Sequence, residues 1–121
     1  MEPEKLAGAV RAALAGARAV SEIKMFGGIG FMLNGNMVAA VSKRGLLLRV
    51  GKEREAEALR RPGTRPMEMR DRKMDGYVYV DPAELTDGAV KEWIGFASAF
   101  VLTLPAKEAG TKRKRATPKP K

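Results

Sequence analysis

The sequence predicts an α+β domain, a two-layer sandwich in which a curved antiparallel sheet of about five strands carries N- and C-terminal helices. Three observations point there. Short apolar runs punctuated by turn residues fill the middle of the chain, from Gly30 to Val80. Helical periodicity marks the two ends of the first 105 residues. A length of 121 residues with 45% hydrophobic content suits one modest core, which the pattern places in residues 1–105.

The first helix is expected from about Glu2 to Ala19, because Leu6, Val10, Ala13, Leu14 and Ala17 recur at three- and four-residue spacing. Gly8 and Gly16 each weaken it by about 1 kcal/mol relative to alanine. Gly30 to Leu33 then runs into Asn34-Gly35, a pair that tolerates positive φ at both positions and favours a two-residue hairpin. Met37 to Ser42 follows, then the turn Lys43-Arg44-Gly45, then Leu46 to Val50, giving a three-stranded meander. Leu46, Leu47 and Leu48 do not alternate with polar residues, so their strand is predicted to be central and covered on both faces.

Lys52 to Leu59 reads as a short charged helix closed by Pro62-Gly63. Met67-Glu68-Met69 alternates as an edge strand does, Asp75-Gly76 marks a turn, and Tyr77 to Val80 is a strand rich in β-formers. Asp81-Pro82-Ala83-Glu84 predicts a helix start with Asp81 as N-cap and Pro82 in the first helical position, interrupted or restarted at Asp87-Gly88. Leu85, Ala89, Trp93, Ala97, Phe100, Val101 and Leu104 then form an aromatic-rich stripe, expected to be the main hydrophobic contributor.

Composition narrows the chemistry. The chain has no cysteine and no histidine, which excludes disulfides, thiolate nucleophiles, Ser–His triads and histidine metal sites. Carboxylate, lysine and tyrosine chemistry remains, and the expectation is a protein that is not an enzyme and needs no cofactor or metal. The start, Met-Glu-Pro-Glu-Lys, lacks the cationic lead and apolar core of a signal peptide, and no apolar run approaches the roughly 20 residues that span a bilayer. A cytoplasmic protein without a membrane partner is expected.

The net charge of +9 is unevenly placed: residues 106–121 carry seven Lys or Arg against one Glu. That segment has no aromatic or large aliphatic residue and is expected to be a disordered basic tail. Its run Lys112-Arg113-Lys114-Arg115 resembles a nucleic-acid-binding arm, and charge alone implies non-specific affinity for DNA or RNA at low salt.

Two other features invite a chemical reading. The glycine cluster in Met25-Phe26-Gly27-Gly28-Ile29-Gly30-Phe31 precedes a strand rather than a helix, which favours a tight entry or bulge over a phosphate cradle. The connection from Arg60 to Lys73 holds Arg60, Arg61, Arg65, Arg70, Arg72 and Lys73, whose guanidiniums suit a small anion, though a solvated loop guarding an edge strand is the more ordinary reading. Together the two features frame an alternative function, a binder of a phosphate-bearing metabolite or an enzyme acting on one. Met25, Met32, Met37, Met67, Met69 and Met74 are expected as core filler, with an exposed subset able to form an adaptable partner surface.

Taken together, Lys24-Met25-Phe26-Gly27-Gly28-x-Gly30-Phe31, Gly35-x-Met37-x-Ala39, Leu46-x-Leu48-Arg49-Val50 and Tyr77-x-Tyr79-Val80-x-Pro82-x-x-Leu85 resemble the TfoX N-terminal domain family across about residues 20–104. The resemblance implies a curved antiparallel sheet with helices mainly on one side, and no catalytic residues. It makes Met25, Phe26, Gly27, Gly28, Gly30, Tyr79 and Pro82 the family-motif positions. Full-length members regulate bacterial competence together with the cyclic-AMP receptor protein and carry a second, helical domain. In its place this sequence is expected to have only the basic tail. The implied role is a transcription-related interaction module with a protein partner, existing as a monomer or weak homodimer.

Overall fold

Alternating side-chain direction along paired strands sets the architecture. The computed structural model describes residues 1–105 apart from 18, 26, 70 and 71, and gives the backbone alone for residues 25 and 69. Helix α1 (Pro3–Ala13) leads into β1 (Val20–Met25), β2 (Gly28–Leu33), β3 (Asn36–Ser42) and β4 (Gly45–Arg49). A 3₁₀ turn (Lys52–Arg54) and α2 (Glu55–Leu59) precede β5 (Thr64–Met69) and β6 (Arg72–Val80). A second 3₁₀ turn (Pro82–Glu84) and α3 (Asp87–Val101) follow. The strands form one open antiparallel sheet in the order β1-β2-β3-β4-β6-β5. The α+β expectation holds, with six strands in place of about five.

The helices share one face of this sheet. α1 and α3 pack on each other and across β3 and β4, while α2 rests against β5 and β6. Between the layers lie Leu6 and Val10 of α1, Ala58 of α2, and Val90, Trp93, Ile94, Phe96, Ala97 and Val101 of α3. They meet Phe31, Leu33, Val38, Ala39, Val41, Leu46, Leu48, Val78 and Val80 from the sheet. The pairing moves from Phe31↔Ala39 to Met32↔Met37, so β3 contains one extra residue. This bulge lets Val38 and Ala39, adjacent in sequence, both face the helices. The Asn34-Gly35 hairpin forms as expected, with φ of 54° and 80°.

Several expectations are corrected. α1 ends at Ala13, not near Ala19, because a turn through Gly16 and a positive φ at Ala19 (54°) redirect the chain into β1. β1 itself has no period-2 pattern to betray it; pairing with β2 over six residues creates it. Arg11 on α1 clamps Glu22 on β1 through two hydrogen bonds, 2.6 and 2.8 Å, and these hold the Glu22 carboxyl below its ordinary pKa. Asp75-Gly76 is not a turn: β6 runs through it, and the reversal falls between Met69 and Arg72.

The predicted helix start at Asp81 is a single 3₁₀ turn without a side-chain cap, since the Asp81 carboxylate pairs with Arg65 instead. Leu85 then goes extended to bury its side chain, and α3 begins after Thr86, whose hydroxyl accepts from the Ala89 amide at 3.1 Å. Its buried stripe is broader than expected, taking in Val90, Ile94 and Phe96, and Trp93 meets Phe96 edge-on with centroids 5.8 Å apart. Among the described residues no helix is long and apolar enough to cross a membrane.

One buried carboxylate locks the α2 region to the sheet. Glu55 is 6% exposed; its Oε1 accepts from the Gly76 amide at 2.7 Å and its Oε2 faces Lys73 Nζ at 3.1 Å. Gly76 reaches this position with φ of 87°, and a Cβ there would press on the Gly51–Lys52 backbone at 3.3 Å. Burial opposes the Glu55 charge, but the Gly76 amide and Lys73 together outweigh it, so its pKa falls below the ordinary 4.5. The stabilisation this lowered pKa confers is therefore complete above the unfolded-state value and is lost as pH falls through the lower folded value. Glu55→Ala, which orphans the Gly76 amide, is expected to cost about 1–3 kcal/mol at pH 7 in urea unfolding. The difference between wild type and Glu55→Gln should shrink as the titration is carried below pH 4.5; a pH-independent difference would refute the charged pairing.

Candidate functional site

Among the described residues every helix lies on one side of the sheet, the other face carries no second layer, and register defines what it presents. The pairs Ile23↔Gly30, Gly30↔Ala40, Ala40↔Leu47, Leu47↔Tyr79 and Tyr79↔Arg65 form one transverse row across all six strands. These residues alternate with the core residues of their strands and so point away from the helices. Leu47 is only 6% exposed, yet it is no part of the helix-side core. The strand Leu46–Leu48 is central as expected, but the expectation that both its faces are covered is corrected: the helices pack on the Leu46 and Leu48 side only. At the β1 end Ile23 is 47% exposed.

Met32 and Met37, cross-strand partners, lie half-buried beside this row. Met67 on β5 is 9% exposed and likewise outside the helix-side core, and Met74 is 36% exposed. Met67 is thus buried, as core filler should be, while Met32, Met37 and Met74 form the partly exposed subset; the extra residue in β3 is what turns Met37 out of the helical layer. Met25 and Met69 have no described side chains. Arg65 frames the far end. Its guanidinium lies 5.2 Å from the Tyr79 ring centre, donates to the Arg44 carbonyl at 3.0 Å and pairs with Asp81. Flexible thioethers, aliphatic side chains, one tyrosine and a flanking guanidinium offer adaptable apolar contact with a cationic border.

The glycine cluster is structural. Gly27, at φ 76°, lies in the connection from β1 to β2, and Met25 pairs with Gly28. A Cβ on Gly28 would overlap the Val41 carbonyl, so β3 can approach only glycine there. Phe26 lies outside the described residues. Gly30 is buried within this row, Tyr79 is its last member before Arg65 at the β5 edge, and the Pro82 carbonyl accepts from the Met1 ammonium at 2.8 Å. Lys112, Arg113, Lys114 and Arg115, with the whole of 106–121, lie outside the described residues.

Three of the six cations of the arginine-rich connection are engaged by the chain itself. Arg61 stacks 4.7 Å from Trp93 and 5.1 Å from Phe96, Arg65 is held as described, and Lys73 pairs with Glu55. Arg70 lies outside the described residues. The glycine turn and this connection occupy opposite edges of the sheet, separated by about 19 Å at ordinary strand spacing, so they do not converge on one small anion. An open depression of about 600 Å³ does adjoin the glycine turn, lined by Pro3, Ala7, Lys24, Gly28, Val41 and Lys43. Among the described residues no cluster of three or more Asp or Glu is arranged to hold a metal ion.

The fold and this surface define a two-layer α+β domain with one helix-covered and one bare sheet face. The chain belongs to the TfoX N-terminal domain family, whose model matches residues 12–100. No curated protein and no solved structure matches it. The matched span holds the whole sheet, the glycine turn and most of α3, and stops short of the basic segment.

The two glycines of the turn should respond differently to alanine. Gly28→Ala forces backbone from backbone and is expected to cost at least about 3 kcal/mol. Gly27→Ala has open space around its Cβ and bears only the left-handed backbone penalty, about 1–2 kcal/mol. Chemical denaturation of both variants tests the order, and a costlier Gly27→Ala would contradict the close approach.

Proposed function

We propose that this domain is a non-enzymatic interaction module, a cytoplasmic accessory of bacterial transcription that engages a protein partner through the bare face of its sheet. The observation that carries this reading is the uncovered row Ile23–Gly30–Ala40–Leu47–Tyr79 with Met32 and Met37 beside it. Burying such a face against a partner follows the same area logic as the core, about 25 cal/mol per Å² of apolar surface. Membership of a family whose full-length members resemble competence regulators supports the regulatory setting. The lack of histidine and cysteine supports binding over catalysis.

In this proposal the segment from Ala106 onward is an arm that adds sequence-independent affinity for DNA or RNA. With about six net charges engaged, log affinity should fall with log salt at a slope near −5. A chain ending at Pro105 should lose this binding. If the shortened chain still binds DNA and prefers a sequence, the folded body reads DNA itself and the partner reading gives way.

The bare face is tested in the cell. Deletion of the gene should change a defined set of transcripts, wild-type chain should restore them, and the double variant Ile23→Glu, Met37→Glu should not. Both sites lie outside the core, so the variant should stay folded, within about 2 kcal/mol of wild type. Full restoration by a stably folded double variant would refute a role for this face.

A further inference from the structure

The two edges of the sheet are guarded unequally. β5 carries Pro66, which offers no amide, and its pairing with β6 breaks register between Pro66 and Glu68. β1 has no proline and no bulge, and it pairs in unbroken register over six residues as the terminal strand of the sheet. Its hydrogen-bonding direction can be read from its ends. The Asn34 amide donates to the Ala19 carbonyl at 3.1 Å, so the backbone groups of Ala19 address β2. Direction alternates along a strand, so Ser21, Ile23 and Met25 also address β2. Val20, Glu22 and Lys24 present their amides and carbonyls outward.

We propose that two copies of this chain join β1 to β1 antiparallel, across a two-fold axis at Ile23, into one continuous sheet. The register follows from charge. With Ile23 on the axis, Glu22 of each copy stands opposite Lys24 of the other, and their outward backbone groups exchange hydrogen bonds. An axis at Glu22 or at Lys24 would set like charges directly opposite each other, which is destabilising. An axis between residues would match outward groups with inward ones and make no ladder. Glu22 is already oriented by Arg11 at 2.6 and 2.8 Å, on the side of the sheet that bears the helices.

On the bare face, the same register brings the two Ile23 side chains together as a pair not bonded through the backbone, with Cα atoms about 4.5 Å apart. Ile23, 47% exposed in the single chain, is then covered, and the apolar row runs on from one copy into the next. A single-strand contact is small, so the dimer is weak and concentration-dependent.

The chain has no cysteine, so a single introduced thiol reports the axis directly. In the full chain, Ile23→Cys is expected to form disulfide dimers about tenfold faster than Ser21→Cys, because only the first pair is held within bridging distance. Wild-type chain should show concentration-dependent dimerisation by sedimentation equilibrium. Lys24→Glu and Glu22→Lys should each stay monomeric alone and associate when mixed, since mixing restores both opposite-charge pairs. Equal cross-linking rates at positions 21 and 23, or a strictly monomeric wild type at millimolar concentration, would overturn the proposal. Either result holds regardless of whether the charge variants fold.

Discussion

Leu46, Leu47 and Leu48 occupy the middle of the sheet, and side-chain alternation there forces a choice that shapes the rest of the molecule. Two of the three enter the helical layer, where Leu46 and Leu48 are fully buried, and the third must leave it. A central strand cannot place three consecutive leucines on one side. All three helices pack over the side that holds two, and Leu47 lies outside that layer between Ala40 and Tyr79. The bare face is thus a consequence of how the core is filled rather than an addition to it.

The peripheral elements are attached by mixed polar and aromatic contacts. α2 contributes one fully buried alanine to the core, so its position depends on the Glu55 carboxylate at the Gly76 amide and on cations over rings. Arg54 lies 3.8 Å from the Phe96 centroid and Arg61 stacks on Trp93, joining the segment after β4 to α3. α1 is held by Leu6, Val10 and the Arg11–Glu22 clamp. The arginine-rich stretch that suggests an anion reader in the sequence instead serves in part to fasten these pieces.

The proposed function rests on the asymmetries of the sheet. One face is covered and the other is open, one edge is guarded by proline and the other is regular. A surface with thioethers, aliphatic side chains, and a tyrosine and guanidinium toward one border is suited to contact.

Sequence alone determined the layers, the Asn34-Gly35 hairpin, the central leucine strand and the helix ending the domain, since turn chemistry and hydrophobic periodicity are local signals. It also excluded histidine and cysteine chemistry outright. Tertiary structure decided the remainder. β1 exists because β2 offers it a partner, and its residues alone carry no strand period. Asp81 fails as a cap because Arg65, sixteen residues away, takes its carboxylate. Met37 faces outward because one extra residue in β3 reverses the parity of the strand at that point. In each case the deciding contact joins residues far apart in the chain or depends on register, and neither is written in any local stretch of sequence.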